Sequence, residues 1–201
     1  LAAAVVIAQR FDSIFSNPRD LPSIRAVSLT LDTFPGQRSA ELADAHVLNP
    51  TVHAGDRITV EAILHPYRQP QRIIRLNMQL PDTLAPGPVR LLVSDGTTLD
   101  HTLHLIPNPA APPLGLEETV AQLNQLHPTD KLYVTMLAPV QQATTQGPSL
   151  PAVPLTMANI LQPQESNEGF TINGETAIPL GSKTLDLALS GSRVITVNVQ
   201  P

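Results

Sequence analysis

The 201-residue chain predicts a mainly β fold with a few helices (α+β): an immunoglobulin-like antiparallel β-sandwich plus a smaller mixed C-terminal part. Three observations lead there. Apolar and polar residues alternate with period two over six short stretches between Ser23 and Leu105. Turn-forming residues separate these stretches at short intervals, as in strands that pack as two facing sheets. Proline is frequent, 21 residues against 10 glycines, which breaks long helices and favours short strands. At roughly 150 residues per domain, the length allows one domain or two small ones with a real core. The cysteine pair and strand-C tryptophan of antibody domains are missing, so only the architecture is implied.

The first element is a helix. Ala3, Ile7, Phe11 and Ile14, with Phe15 beside them, share one face at helical periodicity, so residues 2–16 read as an amphipathic helix stopped before Asn17-Pro18. A linker would be polar or proline-rich, so this helix is expected to pack on the sandwich, within a segment spanning residues 1–22.

Residues 23–107 form the expected sandwich. Val27, Leu29 and Leu31 make a first alternating run, ended by Phe34-Pro35-Gly36. Glu41 to Leu48 follows, with Ala43, Ala45 and Val47 on one face. The turn Ala54-Gly55-Asp56 leads into a strand with Ile58, Val60, Ala62 and Leu64 inward. Past Pro66 and Pro70 come Ile74, Leu76, Met78 and Leu80, and after a turn from Pro81 to Gly87 come Val89, Leu91 and Val93. Asp95-Gly96 reads as a hairpin turn, with a return strand through Leu99, His101, Leu103 and Leu105. Ile58, Val60, Leu76, Met78, Leu91, Val93 and Leu103 are expected in one core. The proline cluster Pro107 to Pro113 closes the unit.

Residues 108–201 are expected to be a mixed helix/strand region. Leu116, Val120, Leu123 and either Leu126 or His127 give a helical face, with Glu117 and Glu118 in the first turn, where the helix dipole favours them. Lys131 to Ala138 reads as a buried strand, residues 139–154 as an ordered irregular loop, and Leu155 to Leu161 as a short helix. Leu185, Leu187 and Leu189, a turn at Ser190-Gly191, then Ile195, Val197 and Val199 read as a closing hairpin.

Composition excludes several functions. Net charge is −5, and the 12 basic residues form no basic run, so counterion release offers little for nucleic-acid binding. Four Phe, two Tyr and no Trp leave few stacking platforms for single strands or sugars. Without Cys there are no disulfides, thiolate nucleophiles or Cys-ligated zinc. No apolar run approaches the ~20 residues that span a bilayer. Residues 1–8 (LAAAVVIA) lack the preceding basic segment of a signal peptide. The chain begins at Leu1 rather than Met, as expected of a fragment or a processed product.

No catalytic, cofactor-binding or metal-binding residue is singled out by motif. Asp100-His101-Thr102-Leu103-His104 has the most metal-like spacing, but on a strand His101 and His104 point to opposite faces. His101, in the apolar row, is expected to be a hydrogen-bonded core histidine, and His46, His53 and His65 are expected at the surface or in turns. No strand–Gly-x-Ser-x-Gly–helix elbow is present, and Ser190-Gly191-Ser192 reads as a turn. Glu117 and Glu118, about 100° apart on a helix, cannot face each other across a substrate.

The stretch Ala54 to Gly96 resembles a segment of large exported bacterial proteins that carry a SpoIVB-type serine peptidase domain at their N-terminal end. The matching features are Ala54-Gly55-Asp56, Leu64-His65-Pro66-Tyr67, Leu80-Pro81, Pro86-Gly87 and Asp95-Gly96. Leu132 to Pro139 and Ser190 to Val199 fit the same C-terminal region. The resemblance implies an exported location (periplasmic, cell-surface or secreted). The peptidase family's "Gly-Met-Ser-Gly-Ser-Pro" motif is absent, and Ser190-Gly191-Ser192, flanked by Leu189 and Arg193, inherits no catalytic role from it. The expected function is a non-catalytic accessory or interaction domain. Its partner would be its own upstream peptidase domain or an envelope protein, with no cofactor. The alternatives are a hydrolase whose site is assembled from scattered residues, or a carbohydrate- or envelope-binding module.

Overall fold

The computed structural model describes residues 2–15, 23, 25–28, 30, 32–106, 115–138, 142–144, 149–150, 171–173 and 176–201. In chain order the elements are α1 (Ala2–Phe15), β1 (Ser39–Val47), β2 (Thr51–His53), β3 (Arg57–Pro66), β4 (Arg72–Gln79), β5 (Gly87–Ser94), α2 (Gly96–Thr102), α3 (Leu116–Gln125), β6 (Lys131–Ala138), β7 (Gln142–Thr144), β8 (Ser149–Leu150), β9 (Thr171–Asn173), β10 (Thr176–Thr184), β11 (Ala188–Ser190) and β12 (Ser192–Gln200). The fold is β-rich α+β, as the alternation predicts. The proline cluster Pro107 to Pro113, the helix expected at Leu155 to Leu161, and Leu29 and Leu31 lie outside the described residues.

The chain divides into two units, each discontinuous in sequence. One comprises residues 1–33, 104–126 and 141–174, and contains α1, α3 and the antiparallel sheet β8-β7-β9. Strands β7 and β8 occupy part of the segment expected to be irregular loop. The helix expected over residues 2–16 is α1, which contacts α3. Ile7, Phe11 and Ile14 are half-buried, and Phe15 is exposed and stacks on Phe11 at 6.1 Å between ring centroids. On α3 the buried face is rotated from expectation. Thr119 is buried and Val120 exposed, because the Thr119 hydroxyl donates to the Gly115 carbonyl at 2.9 Å and so can leave water.

The other unit comprises residues 34–103, 127–140 and 175–201. It holds two sheets, ordered β11-β1-β3-β4 and β10-β6-β5-β12-β2. Both bury their apolar face in one core. Leu42, Ile58, Val60, Leu64, Leu76 and Met78 come from the first sheet, and Leu91, Val93, Leu132, Val134, Met136 and Val197 from the second. The strands expected at Ile58–Leu64, Ile74–Leu80, Val89–Val93 and Lys131–Ala138 are β3, β4, β5 and β6. Strands on both sides of residue 107 pair in these sheets: β6 and β12, from beyond it, flank β5.

Four expectations are corrected in the strand-rich regions. The described residues of the run from Ser23 to Asp32 form no strand, and Val27 is exposed; β3 and the distant β11 occupy both edges of β1. In β1 the inward residues are Ala40, Leu42 and Ala45, because a bulge between Leu42 and Asp44 switches the faces. Asp44 Oδ1 accepts from the Ala45 N–H at 2.8 Å, and Arg193 donates to the Ala43 carbonyl from Nε (3.0 Å) and Nη2 (2.7 Å). The third correction falls on Asp95-Gly96, which opens helix α2; the residues of the expected return strand form that helix and the turn after it. Leu103 is its C-cap rather than a core residue, and His101 is exposed in its last turn.

The fourth correction concerns the closing hairpin. Strand β11 pairs parallel with β1, whereas β12 crosses into the other sheet, antiparallel to β5 and parallel to β2. Both sheets are therefore mixed rather than purely antiparallel. Gly191 alone separates the two strands, and its φ of +100° lies in the region where a side chain is strained.

Candidate functional site

Among the described residues, the buried polar groups Ser94, Asp95 and Asp100 lie at and within α2. Asp95 is its N-cap, in extended backbone, and Oδ1 accepts from the Thr98 N–H at 2.6 Å. Its Oδ2 accepts from the Gly191 N–H at 2.7 Å, and the Asp95 N–H donates to the Gly191 carbonyl at 3.2 Å. One carboxylate thus caps the helix and pins the crossover between the two sheets.

One helical turn on, Asp100 is buried and faces the segment that enters β6. The His127 backbone N–H donates to both its oxygens, at 3.1 and 3.2 Å. The His127 Nδ1 lies 2.6 Å from Oδ1, so the carboxyl group and the ring share one short hydrogen bond that orients the imidazole. The imidazole meets the Tyr133 ring edge-on, with centroids 5.1 Å apart. Tyr133 Oη donates to the Pro128 carbonyl at 3.2 Å. Burial, then the negative charges of Asp130 and Asp100, push the Tyr133 phenol above its ordinary value. Gly96 permits this close docking: a Cβ there would stand 2.5 Å from the Pro128 carbonyl oxygen and 2.7 Å from that of His127.

An imidazole oriented by a buried aspartate is two-thirds of a nucleophilic triad. The third member would be a hydroxyl on the other ring nitrogen, and among the described residues none is bonded there. Ser94 and Thr135 carry buried hydroxyls without a hydrogen-bond partner, on the same sheet face as Tyr133. The arrangement holds a chain segment in place: Asp100 ties the entry to β6 onto α2.

The remaining titratable residues are dispersed. His46 Nε2 lies 3.6 Å from Glu61 Oε1 on the outer face of the first sheet, where Arg75 Nε donates to Glu61 Oε2 at 2.7 Å. His53 is exposed and pairs with Asp56 at 3.5 Å. His65 and His104 are exposed. Among the described residues, no three His, Asp or Glu side chains are grouped closely enough to hold a metal ion. Glu117 and Glu118 are exposed on the first turn of α3.

The turn motifs singled out in the sequence between Ala54 and Gly96 have structural uses. Gly55 N–H donates to the Pro81 carbonyl at 3.2 Å and Leu80 N–H to the Asp56 carbonyl at 2.9 Å, so Ala54-Gly55-Asp56 and Leu80-Pro81 form one interlocked corner. Tyr67 N–H donates to the Ser39 carbonyl, and Asp95-Gly96 is the start of α2. The Asp100–His127 pairing, 27 residues apart, leaves no periodic trace in the sequence. The one available signal was Asp95, an N-cap residue type whose neighbours Thr97 and Thr98 suit a first helical turn as well as a strand.

No family model, curated protein or solved structure matches the chain. No described helix is long and apolar enough to cross a membrane.

Proposed function

We propose that this chain is a non-catalytic accessory or interaction domain of an exported bacterial protein, C-terminal to a SpoIVB-type serine peptidase domain. Its partner is that domain or an envelope protein. The observation that carries the reading is the employment of the buried carboxylates. Asp95 and Asp100 accept from backbone N–H groups and a ring nitrogen, and Glu61 accepts from Arg75, so their lone pairs serve the fold. The turn-and-strand resemblance of Ala54 to Gly96 supports the context.

The Asp100–His127 pair is the specific observation favouring a hydrolase instead. A direct assay separates the readings. Incubated with casein and with esterase and glycosidase substrates, the purified chain should give no turnover above buffer. Turnover that disappears in His127→Gln while the thermal midpoint holds would establish the hydrolase and overturn the proposal. The full-length gene product should carry the peptidase domain upstream and fractionate outside the cytoplasm; a product with neither removes the proposed context.

A further inference from the structure

At one end of the first sheet, two arginines lie over exposed aromatic rings. The Arg38 guanidinium carbon is 4.0 Å from the Phe34 ring centroid, and that of Arg68 is 5.1 Å from the Tyr67 centroid. Phe34 is 57% and Tyr67 45% exposed, in a chain with only six aromatic residues. The Tyr67 N–H donates to the Ser39 carbonyl at 2.9 Å, which sets the two Arg-aromatic pairs at the same end of β1 and β3. Ile73, 52% exposed on the neighbouring strand β4, adds apolar surface.

Charge and backbone distinguish this surface from ordinary solvated side chains. Arg72 and Arg75 are neutralised, by Asp186 at 2.7 Å and Glu61 at 2.7 Å. Arg38 and Arg68 form no ion pair within 4.0 Å among the described residues, so each keeps a planar fork of donors facing water. Stacking holds the forks flat and lowers the entropy lost when a carboxylate binds. Arg68 also sits at φ 54°, an uncommon conformation for a residue with a side chain, in the turn between β3 and β4. Exposed Arg and aromatic residues together are the composition of interface hot spots.

We infer that Phe34, Arg38, Tyr67 and Arg68 form a docking surface for an acidic polypeptide segment with interspersed aromatic or large apolar residues. The unpaired forks take its carboxylates, and the exposed edges of Phe34, Tyr67 and Ile73 take its apolar side chains. An acidic occupant is favoured because neither guanidinium is held in an ion pair among the described residues, Arg38 meeting only the longer-range field of Asp186, which is itself bonded to Arg72, although the whole chain carries a net charge of −5. That same net charge opposes nucleic acid, the other ligand that stacks on such plates. The inference does not require the peptidase context.

The test uses the whole chain and three fluorescein-labelled probes: a peptide alternating Glu with Phe, its Gln-for-Glu counterpart, and an oligothymidylate. Anisotropy should rise with the acidic peptide, weaken as salt is added, and be much lower with the Gln peptide. Arg38→Gln with Arg68→Gly should weaken binding by about tenfold or more, the scale of a hot-spot pair. Glycine suits the backbone at residue 68, so the variant keeps its thermal midpoint and a loss of binding is not a loss of fold. Failure of the acidic peptide to bind, or equal binding by the double variant, overturns the inference. Preference for the oligothymidylate overturns the partner class.

Discussion

Tyr133 stands where burial, two carboxylates and a carbonyl meet, and its phenol is held neutral by all of them. Its Oη donates to Pro128, while Asp130 and Asp100 disfavour a phenolate. The folded-state value lies above the ordinary 10.0, so the folded state keeps this proton more tightly than the unfolded chain. The resulting stability is fully present below the ordinary value and is lost as pH rises through the folded one. The urea midpoint should therefore fall more steeply above about pH 10 in the wild type than in Tyr133→Phe, which has no phenolic proton. Parallel pH profiles for the two proteins would remove Tyr133 from this role. None of this was legible residue by residue, because Asp100 comes from a stretch of chain distant from the Pro128 to Tyr133 segment.

At the scale of elements, Asp95-Gly96 shows what decides between two local structures. A two-residue hairpin of type I′ needs positive φ at both central residues. Asp95 has φ −74°, and Gly96 is not among the glycines with positive φ, so the chain continues into a helix. The Gly191 N–H and the segment at residues 127–128 complete that choice from elsewhere in the sequence. Asp95→Ala removes the cap and leaves the Gly191 N–H without its acceptor, a loss of about 2–4 kcal/mol by chemical denaturation. Asp95→Asn keeps a side-chain oxygen and should cost clearly less. Equal losses would mean that the single acceptor oxygen of Asn cannot hold this corner, where one carboxylate oxygen accepts from Thr98 and the other from Gly191.

For the whole strand-rich unit, the last strand has the greatest consequence. β12 lies inside its sheet, between β5 and β2, and contributes Val197 and Val199 to the core. Removing residues 192–201 exposes the β5 edge, opens the core beneath Leu91 and Val93, and takes away the partner strand of β2. Each large truncation of a buried side chain costs about 2–5 kcal/mol against a total near 5–15, so loss of the strand exceeds what the fold can absorb. The truncated chain should lack a cooperative thermal transition by circular dichroism. A cooperative transition near the wild-type midpoint would mean that the remaining strands form an independent core.

Alternation by itself determined β3, β4 and β5, and a short apolar run the strand nature of β6. Ile58, Val60, Leu76, Met78, Leu91 and Val93 are buried as their period requires, because which face of a strand is apolar is a local property. The stripe of Ala3, Ile7, Phe11 and Ile14 likewise specified α1. Tertiary structure alone decided which strands are neighbours. Leu185 to Val199 alternates as a hairpin would, yet its two strands belong to different sheets, and His127 and Asp100 meet across 27 residues. The physical reason is that alternation records an inward face but not the strand beside it. That choice rests on hydrogen bonds and packing between residues far apart in sequence, made at Gly191 by a backbone turn and the Asp95 carboxylate.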